Sequence, residues 1–153
     1  MKMKSKILIV VNSLEFFLSH RHSLAKEFVA RDYEVTVITD MHGKIENDPD
    51  ISFIDFAIDR ASINPFNIIL KSLRLRRLLL KGSYDVYYFA SHKSNVIGSL
   101  ASLLQFKIPT ILSISGLGYA FIDSSLKARF IKSTILVLYK IFVYQLSLFL
   151  RQG

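Results

Sequence analysis

No cysteine occurs among the 153 residues. That removes disulfides, thiolate zinc sites and cysteine nucleophiles together, and it fits a reducing compartment. Glycine is scarce, with six in all, and the turn that follows the first apolar run, Asn12 to Arg21, contains none. A dinucleotide site needs glycines at such a turn so that the backbone can approach a pyrophosphate and the next helix can pack closely. The turn therefore speaks against NAD or FAD, and Asp40, which would hold the ribose of such a site, reads as a turn residue. Nor is a secretory leader expected. The basic start from Met1 to Lys6 is followed by an apolar run of only five residues, Ile7 to Val11, before Asn12 interrupts it. The expected location is the cytosolic side. No internal repeat, low-complexity tract or Gly/Ser linker appears, and no stretch has the composition of disorder.

What is present is a folding composition, 51% hydrophobic and 21% charged, in a chain long enough for one core and too short for two ordinary domains. Twenty Lys and Arg against twelve Asp and Glu give a net charge of +8. Such a balance suits an anionic neighbour: nucleic acid, a phospholipid surface or a phosphorylated ligand. Nucleic acid is not expected, because no reader motif and no strand of interleaved aromatic and basic residues accompanies the charge.

Lys6 to Val11 is a continuous β-branched run of the kind a strand buried on both faces requires, so the sheet is expected to be parallel. A helix follows, with Ser19 as N-cap and Phe17, Leu24 and Phe28 as its apolar stripe, and Tyr33 to Thr39 returns as the second strand. Ile51 to Phe56 reads as a third strand. After Asn64 and Pro65 a helix runs to about Lys81, where Gly82 stops it; Ile69, Leu73 and Leu80 are expected to face inward. Lys71, Arg74, Arg77 and Lys81 would then form a basic outer stripe, either a plain solvated face or a contact with anionic lipid. Tyr84 to Ala90 is a fourth strand, Asn95 to Leu104 a helix with Ile97, Leu100, Ala101 and Leu104 at helical spacing, and Thr110 to Ser115 a fifth strand. Strands alternating with helices give an α/β fold, a Rossmann-like three-layer α/β/α sandwich with a mostly parallel sheet.

The carboxyl edge of such a sheet is where ligands bind. Three loops reach it. The first offers Asn12, Ser13, His20 and Arg21, the fourth His92 and Lys93, and the fifth Gly116, Gly118, Tyr119 and Phe121. His92 can donate to a sugar hydroxyl or carbonyl, or exchange a proton near neutral pH; equally, it can cap a strand or helix. Lys93 can pair with a phosphate or stand in solvent. His20 and Arg21 suit anion binding at a helix start, while His20 also falls near the stripe of Phe17 and Leu24, where it would simply pack. Gly116 and Gly118 allow close ligand approach or a tight turn, and Tyr119 can stack on a sugar or close the core.

Beyond Ser124 and Ser125 the chain carries few charges, and from Ser133 to Leu150 the only one is Lys140. Three placements stay open for this segment: packed on the domain or a partner, lying at a membrane surface, or spanning it. We divide the chain into a domain over residues 1–123 and an apolar helical segment over 124–153.

Taken together, Lys6 to Val10, Phe16 to Arg21 with Leu24, Ala25 and Lys26, Tyr33 to Thr39, Ser91 to Asn95 with Gly98, and Ser115 to Tyr119 resemble the amino-terminal domain of GT-B glycosyltransferases of the family 4 type. The Gly116 to Tyr119 element and the His92, Lys93 pair are similar to those of bacterial enzymes that extend undecaprenyl-diphosphate-linked sugars in surface-polysaccharide or glycan assembly. The resemblance implies retaining transfer from a nucleotide sugar to a lipid-linked acceptor, with His92 lining the cleft at the transferred sugar and Gly116 to Tyr119 on the acceptor side. It implies no metal and no resident cofactor. It also implies a peripheral position at the inner face of the plasma membrane, and a second Rossmann domain for the nucleotide sugar. That domain is not in this sequence, so the chain is expected to be inactive alone, as a truncated gene, a fragment, or one subunit of a split enzyme. The non-enzymatic alternative is a membrane-surface module or the acceptor-binding subunit of such a split transferase.

Overall fold

The first strand sits at the centre of the molecule because nearly every one of its side chains is apolar. In the computed structural model, which describes residues 4–44, 46–58, 64–105 and 107–114 together with 133 and 140, β1 (Lys6–Val11) is buried from Ile7 onward. It pairs in parallel with β2 (Glu34–Thr39) on one side and β4 (Val86–Ala90) on the other. β3 (Ile51–Asp55) joins the outer side of β2, and β5 (Thr110–Ser113) the outer side of β4, for a sheet order β3-β2-β1-β4-β5. The expectation of a parallel Rossmann-like sandwich holds.

Strand alternation divides the interior into two cores. Ile7, Ile9 and Val11 join Val35, Val37, Phe17 and Ala25 on one face. Leu8 and Val10 join Ile38, Tyr87, Phe89, Leu75, Leu79 and Ile97 on the other. Each fully buried aliphatic chain contributes about 1.5–3 kcal/mol relative to exposure, so both faces of β1 are strongly held. The first core is covered by α1 (Leu14–His20) and α2 (His22–Ala30), the second by α3 (Pro65–Gly82) and α4 (His92–Ser102).

Several local expectations are corrected. Ser19 is not an N-cap: Ser13 caps α1, its hydroxyl accepting from the Phe16 amide at 3.3 Å, while Ser19 Oγ donates back to the Glu15 carbonyl at 2.7 Å. The single expected helix is two, broken at Arg21, and much of the expected loop 12–21 is therefore helical. The helix α4 starts at His92, three residues earlier than expected, and Leu104 lies beyond it, exposed. Gly82 is the last helical residue of α3, and the left-handed cap is Ser83 at φ 47°.

The largest correction concerns which way α3 faces. Ile69, Leu73 and Leu80 point outward, and the buried face is Ser72, Leu75 and Leu79 with Ile68 and Leu78 beside them. Leucine and isoleucine occur all round this helix, so periodicity alone could not choose a side. Of the expected basic stripe, Arg74, Arg77 and Lys81 are exposed, whereas Lys71 Nζ is folded back onto the Ala57 carbonyl at 2.8 Å.

Candidate functional site

The sheet order reverses direction between β1 and β4, so the loops that leave these two strands diverge to opposite faces and open a crevice at the carboxyl edge. Val11 is in register with Ala90, which brings Asn12 and Ser13 beside Ser91 and His92. These are the residues expected from the first and fourth loops, and the fold does bring them together.

On the β1 side, Ser13 is fully buried as the α1 cap, and Asn12 is half-buried. The Asn12 Oδ1 atom is enclosed and has no hydrogen-bond partner among the described residues. A buried amide oxygen in that state carries a desolvation cost of about 1–3 kcal/mol, which a ligand donor would offset. Arg21 lies in the break between α1 and α2. Its Nη1 donates to the His20 carbonyl at 2.8 Å and its Nη2 to the Ser113 hydroxyl at 3.1 Å, with the guanidinium 5.6 Å from the Phe16 ring centre. Arg21 thus reaches from the first loop to the end of β5.

On the β4 side, Ser91 is the N-cap of α4, with its hydroxyl accepting from the Ser94 amide at 3.3 Å and donating to Ser94 Oγ at 2.9 Å. Its backbone stands at φ 97°, ψ 151°, a region almost reserved for glycine, at a cost of order 1–3 kcal/mol. His92 and Lys93, half-buried, fill the first turn of α4, where the helix dipole favours an electronegative oxygen. Asn95, buried in the same turn region, donates from Nδ2 to the Ser113 carbonyl at 3.1 Å. The site therefore joins three strand ends through Ser113, a residue that sequence reading did not single out. Its only sequence signal was Asn95, a polar side chain buried near the start of α4.

His20 is not part of this assembly. It is exposed at the end of α1, stacked on Phe16 at 4.8 Å between ring centres, with Nδ1 2.6 Å from Ser19 Oγ. It neither packs with Phe17 and Leu24 nor reaches the crevice, because the break at Arg21 turns it to solvent. Lys71, Arg74, Arg77 and Lys81 belong to α3, on the layer opposite α1 and α2. Gly116, Gly118, Tyr119 and Phe121, and the segment 124–153 apart from Ser133 and Lys140, lie outside the described residues.

A second polar cluster fixes the loop after β2. Asp48 accepts from the Asp50 amide at 3.0 Å, sits 3.2 Å from His22 Nε2 and 3.1 Å from Lys26 Nζ, and Lys26 also reaches Asp50 at 2.7 Å. The Asp50 amide first, then His22 and Lys26, hold the Asp48 carboxyl below its ordinary range. Nearby, Lys44 bonds Glu15 at 2.6 Å and holds that carboxyl down at about 2. Among the described residues no three His, Asp or Glu side chains converge as metal ligands would, and no helix is long and apolar enough to cross a membrane. The crevice is thus a set of cationic and amide donors beside one unsatisfied acceptor, suited to a hydroxyl-rich or anionic ligand.

The glycosyl transferase 4-like family matches residues 6–151. A Campylobacter jejuni enzyme, N,N'-diacetylbacillosaminyl-diphospho-undecaprenol alpha-1,3-N-acetylgalactosaminyltransferase, is 33% identical over 82% of this chain and 36% of its own length. The chain therefore spans about a third of that relative. Among solved structures, sucrose-phosphate synthase of Thermosynechococcus elongatus superposes with a TM-score of 0.59 at 13% identity, covering 87% of this chain and 40% of that one. A shorter form of the same protein gives 0.56 at 15% identity, over 86% and 71%. At those identities the likeness is one of fold.

Proposed function

The chain belongs to the glycosyl transferase 4-like family, and from that premise we propose that it is the acceptor-side half of a sugar transferase acting on a lipid-linked acceptor. Residues 1–123 would form this half, and 124–153 an apolar helical segment. The printed name of the Campylobacter jejuni relative gives a diphospho-undecaprenol-linked sugar as its acceptor, which supports the same class of acceptor here. The reaction is retaining transfer from a nucleotide sugar in surface-polysaccharide or glycan assembly. The enzyme works peripherally at the inner face of the plasma membrane.

The observation that carries this reading is the pairing of Asn12 and His92 on the two loops that flank the β1–β4 crevice. Asn12 Oδ1 accepts from a hydroxyl of the acceptor, and the amides at the start of α4, with Lys93, face its diphosphate. His92 lines the cleft at the transferred sugar and donates to it. Arg21 and Asn95 act at one remove, by holding Ser113 and so the path from β5 toward Gly116, Gly118 and Tyr119, which complete the acceptor side. A cleft enzyme stabilises its transition state from both walls, so this wall alone has little catalytic power. The nucleotide sugar is held by a second domain or subunit.

The test is a transfer assay with membranes supplying lipid-linked acceptor and a panel of nucleotide sugars. It is run with the chain alone, and with the chain joined to the portion of the Campylobacter jejuni relative that it does not span. Turnover only in the joined form is expected, with His92→Ala reducing it at least tenfold. Turnover by the chain alone would require a donor site within these residues and would sink the half-enzyme reading.

A further inference from the structure

Asp40, at the end of β2, is only 9% exposed, and no lysine or arginine among the described residues pairs with it. An enclosed carboxylate is costly unless something satisfies it. Asp48 shows the contrast, since it meets Lys26, His22 and the Asp50 amide together. For Asp40 the neighbour is His42. The Asp40 Oδ1 atom accepts from the His42 amide at 3.1 Å and stands 3.2 Å from His42 Nδ1. The carboxylate therefore favours the tautomer with its proton on Nδ1 and a lone pair on Nε2. The second Asp40 oxygen and His42 Nε2 have no hydrogen-bond partner among the described residues.

The turn that carries His42 is anchored on both sides. Met41 to Lys44 turn tightly, with His42 at φ 49° and Gly43 at φ 74°, and the Lys44 amide closes the turn on the Met41 carbonyl at 2.9 Å. The Met41 amide donates to Asp55 Oδ1 on β3 at 2.9 Å, and Lys44 Nζ to Glu15 on α1 at 2.6 Å. Register then places the pair at the crevice. The Leu14 amide donates to the Asp40 carbonyl at 3.0 Å, which carries the β1–β2 ladder past Val10 and Ile38 and sets Asp40 beside Asn12. Val10 and Ile38 share one core, so Asn12 and Asp40, two residues further on, fall on that same face of the sheet. The β1–β2 end of the edge thus holds three open acceptor atoms: Asn12 Oδ1, one Asp40 oxygen and His42 Nε2. The β4 end holds Lys93 and the positive end of the α4 dipole. The first end repels an anion and suits hydroxyl donors; the second attracts an anion.

We propose that Asp40 and His42, beside Asn12, form a hydroxyl-reading subsite for the sugar of the acceptor, with His42 Nε2 and the open Asp40 oxygen each accepting from a sugar hydroxyl. The proposal rests on the reading of a lipid-linked acceptor and adds which end of the crevice holds which end of that molecule. The sugar lies over β1 and β2, and the diphosphate over the start of α4. His42 and Asp40 bind and select; they carry no step of the transfer.

The experiment is calorimetric titration of the full chain with two probes of equal charge, farnesyl diphosphate capped with N-acetylglucosamine and farnesyl diphosphate capped with a methyl group. The parent should bind the sugar-capped probe at least tenfold more tightly. His42→Asn keeps a residue that tolerates the left-handed turn, and it should lose about fivefold in affinity for the sugar-capped probe and none for the methyl-capped one. Asp40→Asn should lose at least as much, with its unfolding transition recorded beside it because that side chain is buried. Lys93→Ala should weaken both probes alike. His20→Asn, exposed at the end of α1, should change neither. Equal affinity of the parent for the two probes, or full affinity of His42→Asn for the sugar-capped one, would overturn the subsite and leave the acceptor reading standing. Failure of the parent to bind either probe would overturn both.

Discussion

Arg21 Nη2 donates to the Ser113 hydroxyl at 3.1 Å across 92 positions of sequence, tying the break between α1 and α2 to the end of β5. The same guanidinium holds the His20 carbonyl through Nη1. Two fixed donors at a fork angle suit arginine and not lysine. Arg21→Ala should lower unfolding free energy by about 1.5 kcal/mol, with Arg21→Lys recovering less than half of it. A double-mutant cycle with Ser113→Ala, read by urea unfolding, should give a coupling of about 1 kcal/mol. A coupling near zero would show that Arg21 acts through His20 alone.

Gly98 faces Phe89 so closely that a Cβ would stand 2.5 Å from Cδ2 and 2.6 Å from Cγ of the ring. Phe89 is fully buried and stacked on Tyr87 at 5.9 Å, so it has nowhere to retreat. Gly98→Ala should therefore cost about 1–3 kcal/mol despite alanine's better helix propensity. Combining it with Phe89→Leu should make the Gly98→Ala step milder than it is alone. Thermal unfolding of the four proteins checks this.

The strands and their parallel sense were legible because a strand buried on both faces must be apolar at every position, and Ile7 to Val11 are. The helices were legible as elements and less so as surfaces. In α3, leucine and isoleucine on all sides left the choice of face to the sheet it meets, and the inward choice fell on Leu75 and Leu79 rather than on Leu73 and Leu80. The start of α4 was hidden for another reason: Ser91 adopts a glycine-like φ that no propensity reports, which lets the helix begin at His92. Asn12, Ser13 and His92 could be placed at one edge from topology alone. The links from Arg21 and Asn95 to Ser113 could not, since hydrogen bonds across 92 and 18 positions leave no local trace.

Tyr87 is enclosed beneath α4, its hydroxyl on Gln105, and burial pushes its pKa up from 10.0 to about 12. A raised folded-state value means that the unfolded chain loses this proton first as pH rises. The contribution is complete below pH 10 and is lost between there and about 12. Stability measured by urea midpoint across that window should fall more steeply in the parent than in Tyr87→Phe, which has no proton to lose. Parallel curves would mean that Tyr87 titrates alike in both states.

Ser91 combines a strained backbone at φ 97° with capping bonds to Ser94, and the two have opposite consequences for substitution. Ser91→Ala keeps the strain and loses the cap, so it should destabilise by about 1 kcal/mol. Ser91→Gly loses the same side-chain bonds but relieves of order 1–3 kcal/mol of backbone strain, against a capping loss of only a few tenths. It should therefore unfold at an equal or higher urea concentration than the parent. Its effect on function should be the reverse. Strain at Ser91 fixes the path by which the chain enters α4 and so the position of His92 at the crevice; a glycine frees that path. In the joined enzyme, Ser91→Gly should lower turnover severalfold with stability retained, while Ser91→Ala should keep most turnover at a temperature where it remains folded. If the glycine variant keeps full turnover, the strain at Ser91 serves the packing of α4 alone and His92 is positioned by other means.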